Sequence, residues 1–214
     1  MKTDDLNFRE MYRQICLLSG EEIFDEVNLK DIFDFPPEEK LNGFLTYCHT
    51  DFDGALFFEI LAGTLEQAGK IKTFPGSYKK NVRLKRGAVG DCEIKIVTGE
   101  YSIPFRDKIQ MINDEFDVDD RKEKTRFVKS VDSLRHPDYP DDVQVFFFAE
   151  NLNPEPAWLR CEKIDGNIFT GTLLTELNQD FGFKIGDEVK FGTAEFNGEI
   201  ICVAGSKDFS GSED

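Results

Sequence analysis

Hydrophobic positions in the first part of the chain form runs that predict both helices and strands. Apolar residues between positions 7 and 18 are close to helical spacing, which predicts a helix there. The continuous apolar run at 44–48 predicts a short buried strand. Residues 55–68 are apolar on almost every side, a pattern that predicts a helix buried on more than one face.

Further along, residues 82–84 and 93–97 alternate between apolar and polar positions and predict two short strands. Residues 105–116 return to helical spacing, and Pro104 suits the first turn of a helix. The charged stretch 119–134 predicts a surface amphipathic helix. The acidic segment 21–35 fits neither period, so its state stays open.

The pattern changes at Asp141 to strands alone. Five stretches predict strands: 143–148, 157–164, 167–174, 188–191 and 199–204. Asp165-Gly166 lies between two of them and is typical of a tight β-hairpin. We therefore expect an α+β protein with a mixed α/β portion over residues 1–140 and a mostly antiparallel sheet of about five strands over 141–205. The polar tail, 206–214, is expected to fray.

Charge narrows the choice of partner. The 214 residues include 42 acidic and 26 basic side chains, with a net charge of −16 at pH 7. General binding to nucleic acid or to an anionic membrane needs a basic surface, so the composition argues against both. Acidic residues crowd at 114–120 and could face a basic protein partner, since opposite fields speed encounter. The alternative is a solvated face that confers solubility.

Cysteine usage and hydropathy predict the compartment. Cys16, Cys48, Cys92, Cys161 and Cys202 are widely spaced and form no CxxC pair, which argues against a disulfide scaffold and a structural zinc site. The first residues lack the layout of a signal peptide, and no apolar run approaches the ~20 residues that cross a bilayer. We expect a cytoplasmic protein with reduced thiols.

A candidate metal site lies after the predicted strand 44–48. His49, Asp51 and Asp53 place one imidazole and two carboxylates on alternate positions, and such ligands suit a divalent metal such as Mn²⁺. Enzymes with two-metal sites use such clusters of ligands to bind phosphate esters. Gly54 has no side chain and would let a phosphate approach the backbone closely. The alternative is that Asp51 or Asp53 caps the following element, with His49 an ordinary strand-end residue.

This H-x-D-x-D-G sequence, between a strand and a predicted helix, resembles the first motif of the DHH phosphoesterase family. The resemblance covers residues 44–63 and implies Mn²⁺-dependent phosphodiester chemistry. The Asp-His-His triplet of that family is absent from this sequence, whose other histidine is His136.

A basic stretch at 70–90 contains seven cations and no acid. Its second part is a candidate phosphate-binding set, which consists of Lys79, Lys80, Arg83, Lys85 and Arg86. If His49, Asp51 and Asp53 bind metal, these cations would be the natural phosphate clamp. The alternative is an exposed hairpin whose cations prevent edge-to-edge pairing.

The strands after Asp141 carry a second resemblance. A Trp-led strand beginning at Ala157, an F-x-G-x-L core at 169–173 and the G-D-x-V sequence at 186–189 resemble the bacterial YegJ-like domain family. The resemblance implies an α+β domain, with a helix such as 121–134 preceding the sheet, and no known activity.

Together these features favour a non-enzymatic, bacterial, intracellular binding protein, of the immunity or accessory type, that acts on a protein partner and needs no cofactor. The alternative is a metal-dependent phosphoesterase, or a degenerate relative that binds a phosphorylated ligand.

Overall fold

The computed structural model describes residues 1–34, 37–77 and 80–206. The chain forms two compact units, Met1–Asp117 and Val118–Asp214. The division falls after Asp117 and not after the expected Pro140, because the helical segments between these positions pack on the strands that follow them.

The first unit is built on an antiparallel sheet. Its strands are β1 (Ile15–Ser19), β2 (Gly43–Thr50), β3 (Leu56–Gln67), β4 (Lys70–Pro75), β5 (Arg83–Lys85) and β6 (Glu93–Ile96). The order is β4-β3-β2-β1-β6, and β5 also pairs with β3. The longest strand pairing in this sheet is that of β2 with β3, which form a hairpin. This pairing places His49 opposite Phe57 and Tyr47 opposite Glu59.

Short helices cover both faces of this sheet. They are α1 (Phe8–Met11), α2 (Leu29–Ile32), α3 (Thr98–Tyr101) and α4 (Arg106–Glu115), with 3-10 helices at Thr3–Asp5, Glu22–Phe24 and Arg86–Val89. On one face, Phe44 and Phe58 pack in a core that includes Met11 of α1. On the other face, Tyr47 lies in a core with Ile112 of α4. The sheet is therefore buried on both sides.

Two predicted helices in this unit are wrong, and the buried sheet explains the larger error. The predicted helix at 55–68 is instead the strand β3 (Leu56–Gln67), because a strand that is covered on both faces is apolar at consecutive positions and loses its alternation. Residues 7–18 form only the short α1 and then β1, with Arg13 between them in a left-handed backbone conformation (φ 57°). The strands expected at 44–48, 82–84 and 93–97 and the helix at 105–116 are confirmed.

The second unit is a small barrel preceded by helical segments. These are α5 (Asp120–Arg126) and a 3-10 helix (Lys129–Leu134), so the single helix expected over 119–134 is wrong. The barrel strands are β7 (Asp142–Phe148), β8 (Glu155–Asp165), β9 (Ile168–Leu173), β10 (Glu188–Phe196) and β11 (Glu199–Gly205).

These five strands close in the order β10-β11-β7-β8-β9. Every pairing is antiparallel except β11 with β7. The five expected strands and the hairpin at Asp165-Gly166 are confirmed, and the protein is α+β. Of the tail, residues 207–214 lie outside the described residues.

Candidate functional site

The turn of the β2–β3 hairpin contains both carboxylates of the predicted metal motif. Oδ1 of Asp51 accepts hydrogen bonds from the backbone N–H groups of Asp53 (3.0 Å) and Ala55 (2.9 Å). Asp51 therefore caps this turn, as Asp side chains commonly do. The element that follows is β3 and not the helix that the sequence pattern predicted. The side chain of Asp53 is exposed to solvent.

His49 belongs to the buried part of the same hairpin. Its Nε2 lies 3.6 Å from Oε2 of Glu59, and its Nδ1 lies 3.1 Å from the backbone oxygen of Thr50. Residues 1–34, 37–77 and 80–206 contain no group of three or more His, Cys, Asp or Glu side chains arranged to hold a metal ion. Metal binding by His49, Asp51 and Asp53 stays a prediction.

Glu59 and Lys108 form a buried ion pair beside His49. Oε1 of Glu59 lies 2.6 Å from Nζ of Lys108, which also donates a hydrogen bond to Oδ1 of Asn81. Burial raises the pKa of Glu59, but the contacts with His49 and Lys108 outweigh it, and the pKa lies below its ordinary value. The ion pair connects β3 to α4 and holds the helix on the sheet.

The sequence motifs do not reveal this pair. Glu59 is the one charged residue in the apolar run 54–65. A charged side chain within such a run is expected to be buried, and a buried charge needs a partner of opposite charge. Lys108 belongs to α4, and nothing in its local pattern names Glu59 as its partner. Only the packing of α4 on the sheet brings the two together.

Aromatic rings connect the buried cluster to the surface. The ring of Phe116, just after α4, lies 4.8 Å from the ring of His49 and 5.0 Å from the ring of Phe52. The guanidinium of Arg83 lies 5.1 Å from the ring centroids of both Phe57 and Phe116. Phe116 is buried, whereas Phe52, in the hairpin turn, is 71% exposed.

Acidic residues are the sequence neighbours of this exposed ring and of Phe116. Asp51 and Asp53 flank Phe52 in sequence, while exposed acids stand on either side of Phe116. We call this region the Phe52 surface, and define it as Phe52, Asp53, Asp114, Glu115 and Asp117. The last turn of α4 contains no basic residue, so its acids add to the negative end of the helix dipole.

The candidate phosphate-binding cations are separated in the structure. Lys80 pairs with Asp31 at 2.7 Å, and the buried Arg86 pairs with Asp4 at 3.2 Å. Arg83 lies over the two phenylalanine rings, and Lys85 is exposed on β5. Lys79 lies outside the described residues. The described cations are thus distributed among different partners.

The second unit buries charge in a different arrangement. Arg126 of α5 donates from Nε and Nη2 to the two carboxylate oxygens of Asp141, at 2.8 and 2.7 Å, and both side chains are fully buried. Arg135 donates to the backbone oxygens of Thr125 and Pro140, each at 2.6 Å. These contacts hold the helical segment on the barrel.

All five cysteines are buried free thiols. Burial raises the pKa of Cys16 and of Cys202 to about 12, so both thiols are protonated at neutral pH.

Within the described residues, no helix is both long and apolar enough to cross a membrane. Comparison of the chain with protein-family models, with curated proteins and with solved structures found no match.

Proposed function

We propose that this chain is a non-enzymatic accessory protein of the cytoplasm, of the immunity type, that binds a basic protein partner through the Phe52 surface. The observation that carries the proposal is the exposed ring of Phe52, which lies 5.0 Å from the ring of Phe116 and is flanked in sequence by Asp51 and Asp53. The unpaired, buried thiols support an intracellular setting.

An aromatic anchor within a charged rim suits protein recognition. Interface energy concentrates in a few side chains, with aromatic rings prominent among them, and the surrounding polar residues exclude water. Acids at the rim attract a basic partner and orient its approach. Negative charge is unfavourable at the C-terminal end of α4, where the helix dipole is itself negative. Helix stability therefore does not explain why acidic residues occupy that turn.

The base of the surface is buried and closely packed. Phe116 packs on His49, and below it the Glu59–Lys108 pair joins the sheet to α4. A side chain that is already held in place loses less conformational entropy when it binds. Phe52 therefore rests on a preorganised support although the ring itself is exposed.

The proposal is tested by affinity capture from a lysate of the source organism at low salt, using wild type, Phe52→Ser and Asp53→Asn. We expect the wild type to retain a basic protein, Phe52→Ser to lose it, and Asp53→Asn to retain it less well as salt rises. The matched control is Ile185→Ser, which removes a 60%-exposed apolar side chain from the second unit. Equal retention by Phe52→Ser and wild type, or no retention by wild type, would contradict the proposal.

A further inference from the structure

A concave surface in the first unit lies between β1 and the segment that contains α3 and α4. The cleft has a volume of about 280 Å³. Its polar lining includes Arg13, Arg106 and Ser102, and its apolar lining includes Ile103 and Ile109. This volume is close to the lower end of the range for small-molecule sites.

The cleft differs in charge from the unit that contains it. Residues 1–117 include 22 acidic and 15 basic side chains. Of the described residues that line the cleft, two are arginines and none is an aspartate or a glutamate. Guanidinium groups on a concave, partly apolar surface favour an anion, and their forked donors match carboxylate and phosphate oxygens.

The backbone around the cleft is held in place. Arg13 has a φ of 57°, a left-handed conformation that is uncommon for arginine, and its N–H donates to the oxygen of Cys48 at 2.9 Å. Thr98 Oγ1 accepts from the N–H of Ile15 and donates to Gln14 Oε1, both at 2.8 Å. Unfavourable backbone conformations are concentrated at functional sites, where surrounding contacts maintain them.

We propose that this cleft binds a small phosphate monoester with an apolar organic group. Arg106 neutralises the phosphate dianion together with Arg13, whose guanidinium lies 5.4 Å from the centroid of the Tyr12 ring, and the hydroxyl of Ser102 supplies a further donor. Ile103 and Ile109 contact the organic part, whose burial adds to the affinity. This ligand site is separate from the Phe52 surface and does not depend on the proposed protein partner.

The test is calorimetric titration of the full chain with phenyl phosphate, compared with inorganic phosphate, phenol and benzoate. We expect saturable binding of phenyl phosphate, at least tenfold tighter than inorganic phosphate or benzoate, and no detectable binding of phenol. Equal binding of benzoate would overturn the assignment to phosphate, and no saturable binding of phenyl phosphate would overturn the site.

Substitutions of the two arginines test whether phenyl phosphate binds in this cleft. Arg13→Asn and Arg106→Gln should each weaken phenyl phosphate at least tenfold, and the control Lys95→Gln, which removes one exposed cation elsewhere in the unit, should change it less than twofold. Asn tolerates the left-handed conformation at position 13, and Arg106→Gln tests the cleft without a change at that position. Equal affinity in the arginine variants and in Lys95→Gln would overturn the proposal.

Discussion

The sheet of the first unit and the barrel of the second differ in how clearly their sequences show their strands. The barrel strand β10 has one face toward the core, so buried and exposed residues alternate, as at Val189, Lys190 and Phe191. In β3, by contrast, seven consecutive residues from Phe58 to Thr64 are buried. The alternation on which strand prediction depends is present only where one face remains in water.

The two units also differ in how they bury charge. Asp141 receives two nearly parallel hydrogen bonds from Arg126, whereas Glu59 meets a single ammonium group and a histidine nitrogen at 3.6 Å. A planar guanidinium matches both carboxylate oxygens, and an ammonium acts as a point charge. The barrel pair should therefore be more sensitive to the loss of one partner.

The largest effect is expected from Asp141→Asn. The substitution removes the fully buried carboxylate that binds two guanidinium nitrogens of Arg126 and leaves the contact with Glu123 at 3.1 Å, which should lower the free energy of unfolding by about 3–5 kcal/mol. Urea denaturation followed by circular dichroism measures the change. The matched control is Asp119→Asn, at an exposed ion pair where Asn still caps α5, and little change is expected. Similar losses in both variants would show that the burial of Asp141 is unimportant.

Alanine substitutions test the difference in strand burial. Ile60 and Leu61 are adjacent in β3 and belong to different cores, so each truncation should cost about 2–5 kcal/mol. In β10, Phe191→Ala should cost about 3–5 kcal/mol, and the neighbouring Lys190→Ala should change stability by less than about 0.5 kcal/mol. Urea midpoints measure all four. A cost at only one of positions 60 and 61 would contradict burial on both faces.

Lys108→Met should have a smaller effect than Asp141→Asn. Glu59 loses its cation but keeps Nε2 of His49 at 3.6 Å as a polar neighbour, so the expected loss is about 2–3 kcal/mol. The control is Lys72→Met, which breaks an exposed pair with Glu39 and should have little effect. A loss at Lys108 no larger than at Lys72 would mean that this pair does not hold α4 on the sheet.

The smallest effect is the contribution of Glu59 to pH dependence. Its pKa is lowered from 4.5 by folding, so its stabilisation is present above pH 4.5 and is lost as the pH falls through the lowered value. Glu59→Gln should therefore show a smaller loss of stability between pH 7 and pH 3 than wild type. Urea midpoints across this range measure the difference, and parallel curves would refute the assignment.

The candidate site shows why local motifs mislead. His49, Asp51 and Asp53 are close in sequence, but Asp51 caps the turn while His49 faces Glu59 on the neighbouring strand. Hairpin register makes His49 and Glu59 diagonal neighbours, since Tyr47 is paired with Glu59 and His49 with Phe57. The proximity of Glu59 to His49 can be predicted only when residues 55–68 are assigned to a strand that pairs with β2.

The sequence by itself determined the α+β class, the five barrel strands, the tight turn at Asp165-Gly166 and the acidic charge, because each follows from composition or short-range pattern. The tertiary structure decided that residues 56–67 form a strand, that Lys108 neutralises Glu59, and that Phe52 contacts Phe116. These features depend on which surfaces cover the sheet. The free energy of burial depends on contacts between residues far apart in the chain, which local periodicity does not record.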